Sequence, residues 1–115
     1  MPRIDIPVTT APGGYSGASA AVTFTTADTV NFNQFSLTGR EVVLIRNNGV
    51  GAATWTATSV DDRLGRREDI TAESIAAGAT RVFGPASAEG WRQTDGKFYL
   101  QASSADVSFA VIRLP

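Results

Sequence analysis

The run from Asp61 to Asp69 (DDRLGRRED) holds the densest chemistry in the chain, with Asp61, Asp62, Glu68 and Asp69 interleaved with Arg63, Arg66 and Arg67. Two carboxylates facing a sugar ring are what a glycosidase requires, one to give a proton and one to act as base or nucleophile. Clustered carboxylates also bind Ca²⁺, but the Asp-x-Asp-x-Asp-Gly spacing of a calcium loop is missing. With guanidinium groups among them, the acids read first as a mutually neutralising surface loop. Arg63, Arg66 and Arg67 then read as charged contacts for a partner.

Serine and threonine are plentiful, yet a nucleophile needs a positioned base, and the chain has no histidine and no cysteine. Their lack removes the commonest general base, the commonest metal ligands and every disulfide. Lys97 is the sole lysine. A Ser–Lys dyad built on it is conceivable, but Lys97 follows Asp95-Gly96 and reads as an exposed charge at the start of a strand. Gly13-Gly14 and Gly49-Val50-Gly51 do not open a helix after a strand, so they permit turns rather than cradle a phosphate. The expectation is a protein that is not an enzyme and carries no cofactor or metal.

An aromatic face for carbohydrate or nucleic acid would draw on Tyr15, Trp55, Trp91 and Tyr99. Trp55 alternates with alanines and reads as core. Trp91, between Gly90 and Arg92, reads as packing against this domain or a neighbouring subunit, with sugar stacking as the alternative. The ten basic residues comprise that one lysine and nine arginines. Arginine is favoured at interfaces, although a coding bias toward arginine gives the same composition.

Short runs rich in Val, Ile, Thr, Phe and Trp must position these residues, and Gly, Pro and Asn punctuate them every ten residues or so. That pattern predicts an all-β protein, a jelly-roll-like or Greek-key antiparallel β-sandwich of about eight strands. Residues 1–20 read as an N-terminal arm and flexible loop, and 21–115 as the sandwich of a single domain. In the arm, Arg3 to Val8 is a strand or extended segment that Pro2 and Pro7 confine to an edge or to a neighbour's sheet. Ala21 to Thr26 reads as a strand with Val22 and Phe24 on one face. Phe32 and Phe35 are three apart. A helical turn seating both rings in the core is preferred over a strand that would put them on opposite faces.

Glu41 to Asn47 (EVVLIRN) is the clearest strand, and its continuous apolar run predicts cover on both faces. Asn47-Asn48-Gly49 signals a turn, and Ala52 to Thr58 alternates as a half-buried strand. Glu68 to Ile75 and Thr80 to Phe83 flank the turn Ala76-Ala77-Gly78, and Gly84-Pro85 ends that unit. Trp91 falls in an irregular or short-strand segment. Asp95-Gly96 signals a hairpin into Lys97 to Ala102, with Phe98 and Leu100 on one side. Asp106 to Leu114 is the last strand.

At 115 residues the chain is the size of one domain. Ten basic against eleven acidic residues give a net charge of −1, which argues against direct nucleic-acid binding. Charged residues amount to 18%, below the roughly 25% of an average domain. Either Thr, Ser and Gly cover the surface or part of it is buried against other subunits. No apolar run is long enough to cross a bilayer as a helix, and the start Met1-Pro2-Arg3-Ile4-Asp5 lacks the pattern of a secretory signal. A complete, soluble chain is expected.

Several segments taken in order resemble the small β-sandwich head proteins of tailed bacteriophages, the decoration or cement proteins of the capsid. AVTFTTAD leads into a loop with phenylalanines. TGREVVLIRNNG follows, then a Thr/Ala strand and the Asp/Arg loop. IAAGATRVFGP makes a hairpin and VSFAVIRLP closes the chain. The likeness covers about Ala21 to Pro115, while the Tyr15 region and Ala88 to Thr94 depart from it. It implies a jelly-roll-like subunit on the outer capsid surface of a virion. There it would bind the major capsid protein, assemble as a trimer over local three-fold sites and strengthen the expanded shell. Candidate interface residues are Arg3, Ile4 and Ile6 of the arm, Arg63, Arg66 and Arg67 of the polar loop, and Trp91. A carbohydrate- or receptor-binding module and a tail or neck connector ring are the alternatives.

Overall fold

The computed structural model describes residues 3–13 and 17–115; Pro2, Gly14 and Tyr15 lie outside the described residues. The described strands are β1 (Ile4–Asp5), β2 (Val8–Thr10), β3 (Thr25–Thr26), β4 (Asn33–Ser36), β5 (Glu41–Asn47), β6 (Ala53–Thr58), β7 (Ile70–Ile75), β8 (Thr80–Phe83), β9 (Lys97–Ala102) and β10 (Val107–Arg113). A short irregular turn, α1 (Ala88–Trp91), in which Glu89 (φ -72, ψ 118) and Gly90 (φ 102, ψ -25) depart from helical geometry, precedes β9.

One sheet has the order β1-β4-β9-β6-β7, the other β2-β10-β5-β8, with β3 also pairing β10. Without the arm, the sheets read β4-β9-β6-β7 and β3-β10-β5-β8, and every pairing among these eight strands is antiparallel. That is jelly-roll order. The arm departs from the expected all-antiparallel sandwich, because β1 joins β4 and β2 joins β10 in parallel. Residues 3–10 therefore extend both sheets of their own chain. Pro7 stands between β1 and β2, where no ladder bond is lost.

The core lies between the sheets and follows period-two patterning. In β5 and β6 every odd-numbered residue is buried and every even-numbered one is half-exposed. Trp55, Phe35, Phe98 and Phe109 are the largest buried side chains, and Phe35 stacks on Phe98 with ring centroids 5.0 Å apart. Buried Asn47 closes the turn after β5. Its amide donates to the carbonyls of Gly51 (2.9 Å) and Ile75 (3.0 Å), and its oxygen accepts from the Gly49 N–H (2.9 Å).

Five local expectations are corrected. Residues 21–24 join no ladder, and β3 begins at Thr25. Phe24 lies outside the sandwich, under the Arg46 guanidinium at 3.9 Å. The turn near Phe32 ends too early to carry both rings inward. The Asp28 carboxylate accepts the N–H groups of Val30 (2.9 Å) and Asn31 (2.8 Å), and Phe32 leaves the turn at φ 66. Asn33 then starts a strand, so Phe35 enters the core while the Phe32 ring sits outside beside Arg3.

In β5 only Val43 and Ile45 face the core; Val42 and Leu44 are half-exposed on the outer face. The unit around Gly78 is a corner, not a hairpin, since β7 and β8 belong to different sheets. Asp95-Gly96 does form a tight turn that launches β9, closed by Gly96 N–H to Gln93 O (2.9 Å) and Gln93 N–H to Lys97 O (2.8 Å), but it joins no two-strand hairpin, because β8 and β9 lie in different sheets.

Candidate functional site

Strand order decides which loops meet. β6 ends at Thr58 and β8 at Phe83, in different sheets but at the same end of the sandwich, so residues 59–69 and 84–96 become neighbours. Between them lies a cleft of about 360 Å³, lined by Ser59, Val60, Asp62, Arg66, Arg67, Glu68, Glu89, Gly90 and Trp91. Three of the sequence-derived candidates, Arg66, Arg67 and Trp91, converge here.

The polar loop is folded around its own acids. The Asp62 carboxylate accepts the N–H groups of Leu64 (2.8 Å) and Arg66 (2.9 Å) and the Arg66 guanidinium (2.9 Å). At the loop base, Asp69 accepts the Ser59 hydroxyl (2.7 Å) and N–H (2.8 Å). The Arg66 N–H, outweighing the opposite pull of desolvation, holds the Asp62 carboxyl below the usual carboxylate range; the Ser59 hydroxyl and N–H do the same for Asp69. Neither has the raised pKa of a general acid. Arg67 donates to the Ser59 carbonyl (3.1 Å) and lies 3.8 Å from Asp69.

The two walls are tied together. The Val60 N–H donates to the Gly90 carbonyl (2.7 Å), the Arg63 N–H to the Glu89 carboxylate (3.3 Å) and the Gln93 amide to the Thr58 carbonyl (2.9 Å). Arg63 therefore acts through its backbone and is not among the lining residues. Trp91 falls in an irregular segment, one of the two forms expected for it, at the end of α1 where Glu89 and Gly90 leave helical geometry, and its half-buried ring packs on Phe83 (5.2 Å) and Phe98 (5.5 Å). The core thus sets the position of the indole.

The arm candidates lie elsewhere, on the edge of the first sheet formed by β1. Arg3 is stacked over Tyr99 (4.1 Å) and near Phe32 (5.4 Å), and it donates to the carbonyls of Asn33 and Leu100. Ile4 stays exposed. Ile6 is only 3% exposed and belongs to the core, so it has no free surface to offer an interface. Its N–H donates to Gln34 O at 2.8 Å.

A second surface was not anticipated. On the outer face of the second sheet, half-exposed Val42 pairs half-exposed Ile112, and half-exposed Leu44 pairs the fully buried Ala110 and the exposed Val82. Val82 is 65% exposed on the edge strand. The outer face of the first sheet instead carries Gln34, Tyr99, Gln101, Thr54, Thr56 and Thr58. The apolar run EVVLIRN was the signal for this surface, but a continuous run does not say which half stays partly exposed.

Among the described residues no group of three or more acidic side chains is placed to hold a metal ion, and no helix is long and apolar enough to cross a membrane. No protein-family model, no curated protein and no solved structure matches the chain.

Proposed function

We propose that the chain is a decoration subunit of a tailed-phage head that binds the outer capsid as a trimer and strengthens the expanded shell. The jelly-roll strand order and the sequence resemblance support this reading. The observation that carries it is the aliphatic strip Val42, Leu44, Ile112 and Val82 on one outer sheet face, beside the edge of β8 that pairs no further strand among the described residues. Such a strip adds binding energy when covered, at roughly 25 cal/mol per Å² of apolar area, and repetition over a lattice multiplies a weak contact. The major capsid protein is the partner, and the task belongs to a surface rather than to a reactive group.

The test mixes purified protein with expanded, undecorated heads and measures bound copies and the temperature of head disruption. The native protein is expected to bind and to raise that temperature. Val82→Asp puts a charge in the strip at an exposed position, so the fold is retained. Its binding is expected to fall at least about tenfold, the result of losing a buried aliphatic group and desolvating a carboxylate. Failure of the native protein to bind, or unchanged binding by V82D, overturns the proposal. A six-fold or twelve-fold ring in sedimentation would point to a connector instead.

A further inference from the structure

The cleft between residues 59–69 and 88–91 is not needed for docking through the aliphatic strip. We propose that it is a saccharide-binding site for a neutral glycan of one or two rings. Four features of the site support this assignment.

First, the cleft is preformed. Three hydrogen bonds join its walls directly, Val60 to Gly90, Arg63 to Glu89 and Gln93 to Thr58, so little ordering is required on binding. Its volume of about 360 Å³ is at the small end of ligand pockets, roughly 300–1,000 Å³. Second, Trp91 lines it with an indole that Phe83 and Phe98 hold from the core side. An aromatic ring fixed in this way offers an apolar surface to the C–H face of a sugar at little entropic cost.

Third, planar polar groups line the same cleft as Trp91. Arg66 is 74% exposed and uses Nε on Asp62, which leaves the Nη pair to donate to a ligand. Glu68 and Glu89 supply acceptors at the rim. Adjacent sugar hydroxyls donate and accept together and so match both kinds of group.

Fourth, the charges nearly cancel, with Asp62, Glu68 and Glu89 against Arg66 and Arg67. A phosphate or sulfate meets three carboxylates, and an ammonium or guanidinium ligand meets two guanidinium groups. A neutral polyol meets neither penalty.

The experiment titrates the isolated native protein with neutral oligosaccharides built on glucose, galactose, mannose and N-acetylglucosamine, chosen from a glycan-array screen. Parallel arms use sulfated and sialylated glycans. Readouts are tryptophan fluorescence and backbone amide NMR shifts. Trp55 is 2% exposed, so a ligand-dependent fluorescence change reports Trp91. At least one neutral glycan is expected to bind with a Kd of about 1 mM or tighter and to shift the amides of Val60, Arg67 and Gly90.

Arg66→Ala, an exposed change, is expected to weaken binding about fivefold, the effect of one lost hydrogen bond. Trp91→Phe, which keeps a ring against Phe83 and Phe98, is expected to weaken it at least as much. Val50→Ser, at the fully exposed turn of the opposite end, leaves it unchanged. Array silence toward neutral glycans, binding confined to the anionic arms, or affinity unchanged in both R66A and W91F overturns the proposal. Each outcome is read on the free protein, so it is independent of whether the chain docks on a shell.

Discussion

Replacing Glu41 with glutamine removes a carboxylate that is fully buried at the start of β5. Its Oε1 accepts the N–H groups of Thr38 (2.7 Å), Gly39 (3.1 Å) and Arg40 (3.2 Å). Its Oε2 accepts the Thr38 hydroxyl (2.8 Å) and a short hydrogen bond from Arg113 Nε. Arg113 is the register partner of Glu41 at the end of β10, so this group closes the β4–β5 loop and anchors the last strand together. Burial pushes the Glu41 pKa up, but the bonds from Arg113 and Thr38 outweigh it and hold the group at about 2, from 4.5.

At about 1.4 kcal/mol per pKa unit, that shift is worth roughly 3 kcal/mol. The folded value lies below the unfolded one. The contribution is therefore complete above about pH 4.5 and is lost as pH falls toward about 2. Glutamine keeps the shape but turns an acceptor into a donor facing donors, and it leaves Arg113 without its charge partner; a loss of about 3 kcal/mol at neutral pH follows.

Urea unfolding of native and E41Q proteins at several pH values between 7 and 2.5 is the measurement. Asp28, Asp62 and Asp69 are also held below their usual range by local hydrogen bonds, so both proteins lose stability in acid. The difference between the curves isolates Glu41 and should shrink from about 3 kcal/mol toward zero across that window. A difference below about 1 kcal/mol at pH 7, or one that does not shrink in acid, refutes the argument.

Two further substitutions test other joints. Gly84 has φ 116, and a Cβ there would stand 2.8 Å from the Glu41 carbonyl oxygen. Gly84→Ala should cost about 2–4 kcal/mol in chemical denaturation, with a near-neutral result refuting the close approach. Ile6→Ala should cost about 2–5 kcal/mol by the same assay if the arm is part of the core in solution; a cost under about 1 kcal/mol means that the arm is detached.

Much of the fold was legible because its signals are local. The alternation around Trp55 and the spacing of Phe98 and Leu100 each name a buried face without reference to any partner. The arm was harder. Pro2 and Pro7 marked an edge, but whether that edge belongs to this chain or a neighbour depends on β4 and β10, which are distant in sequence. Glu41 gave no sign of burial, since the partner that makes burial tolerable is Arg113, 72 residues away. The pair Phe32 and Phe35 misled because their spacing suits a helical turn. Asp28 caps the start of the turn, and Phe32, at φ 66, ends it one residue before Asn33.

The candidate cleft shows the same limit and a way past it. Arg66, Arg67 and Trp91 were each singled out by residue type, but nothing in their spacing joined them. Jelly-roll order joins them, because it ends β6 and β8 at one rim from different sheets. Asp62 and Asp69 of the Asp61–Asp69 run lie beside Arg66 and Arg67, as the interleaving suggested, and that is how the site is built. Asp62 fixes the Nε edge of Arg66, and the Ser59 carbonyl with Asp69 fixes Arg67. A loop so held presents its remaining guanidinium donors to the cleft that Trp91 also lines. One hydrogen-bond network therefore underlies both the charge cancellation and the ligand recognition proposed for the cleft, and releasing Asp62 should disturb both.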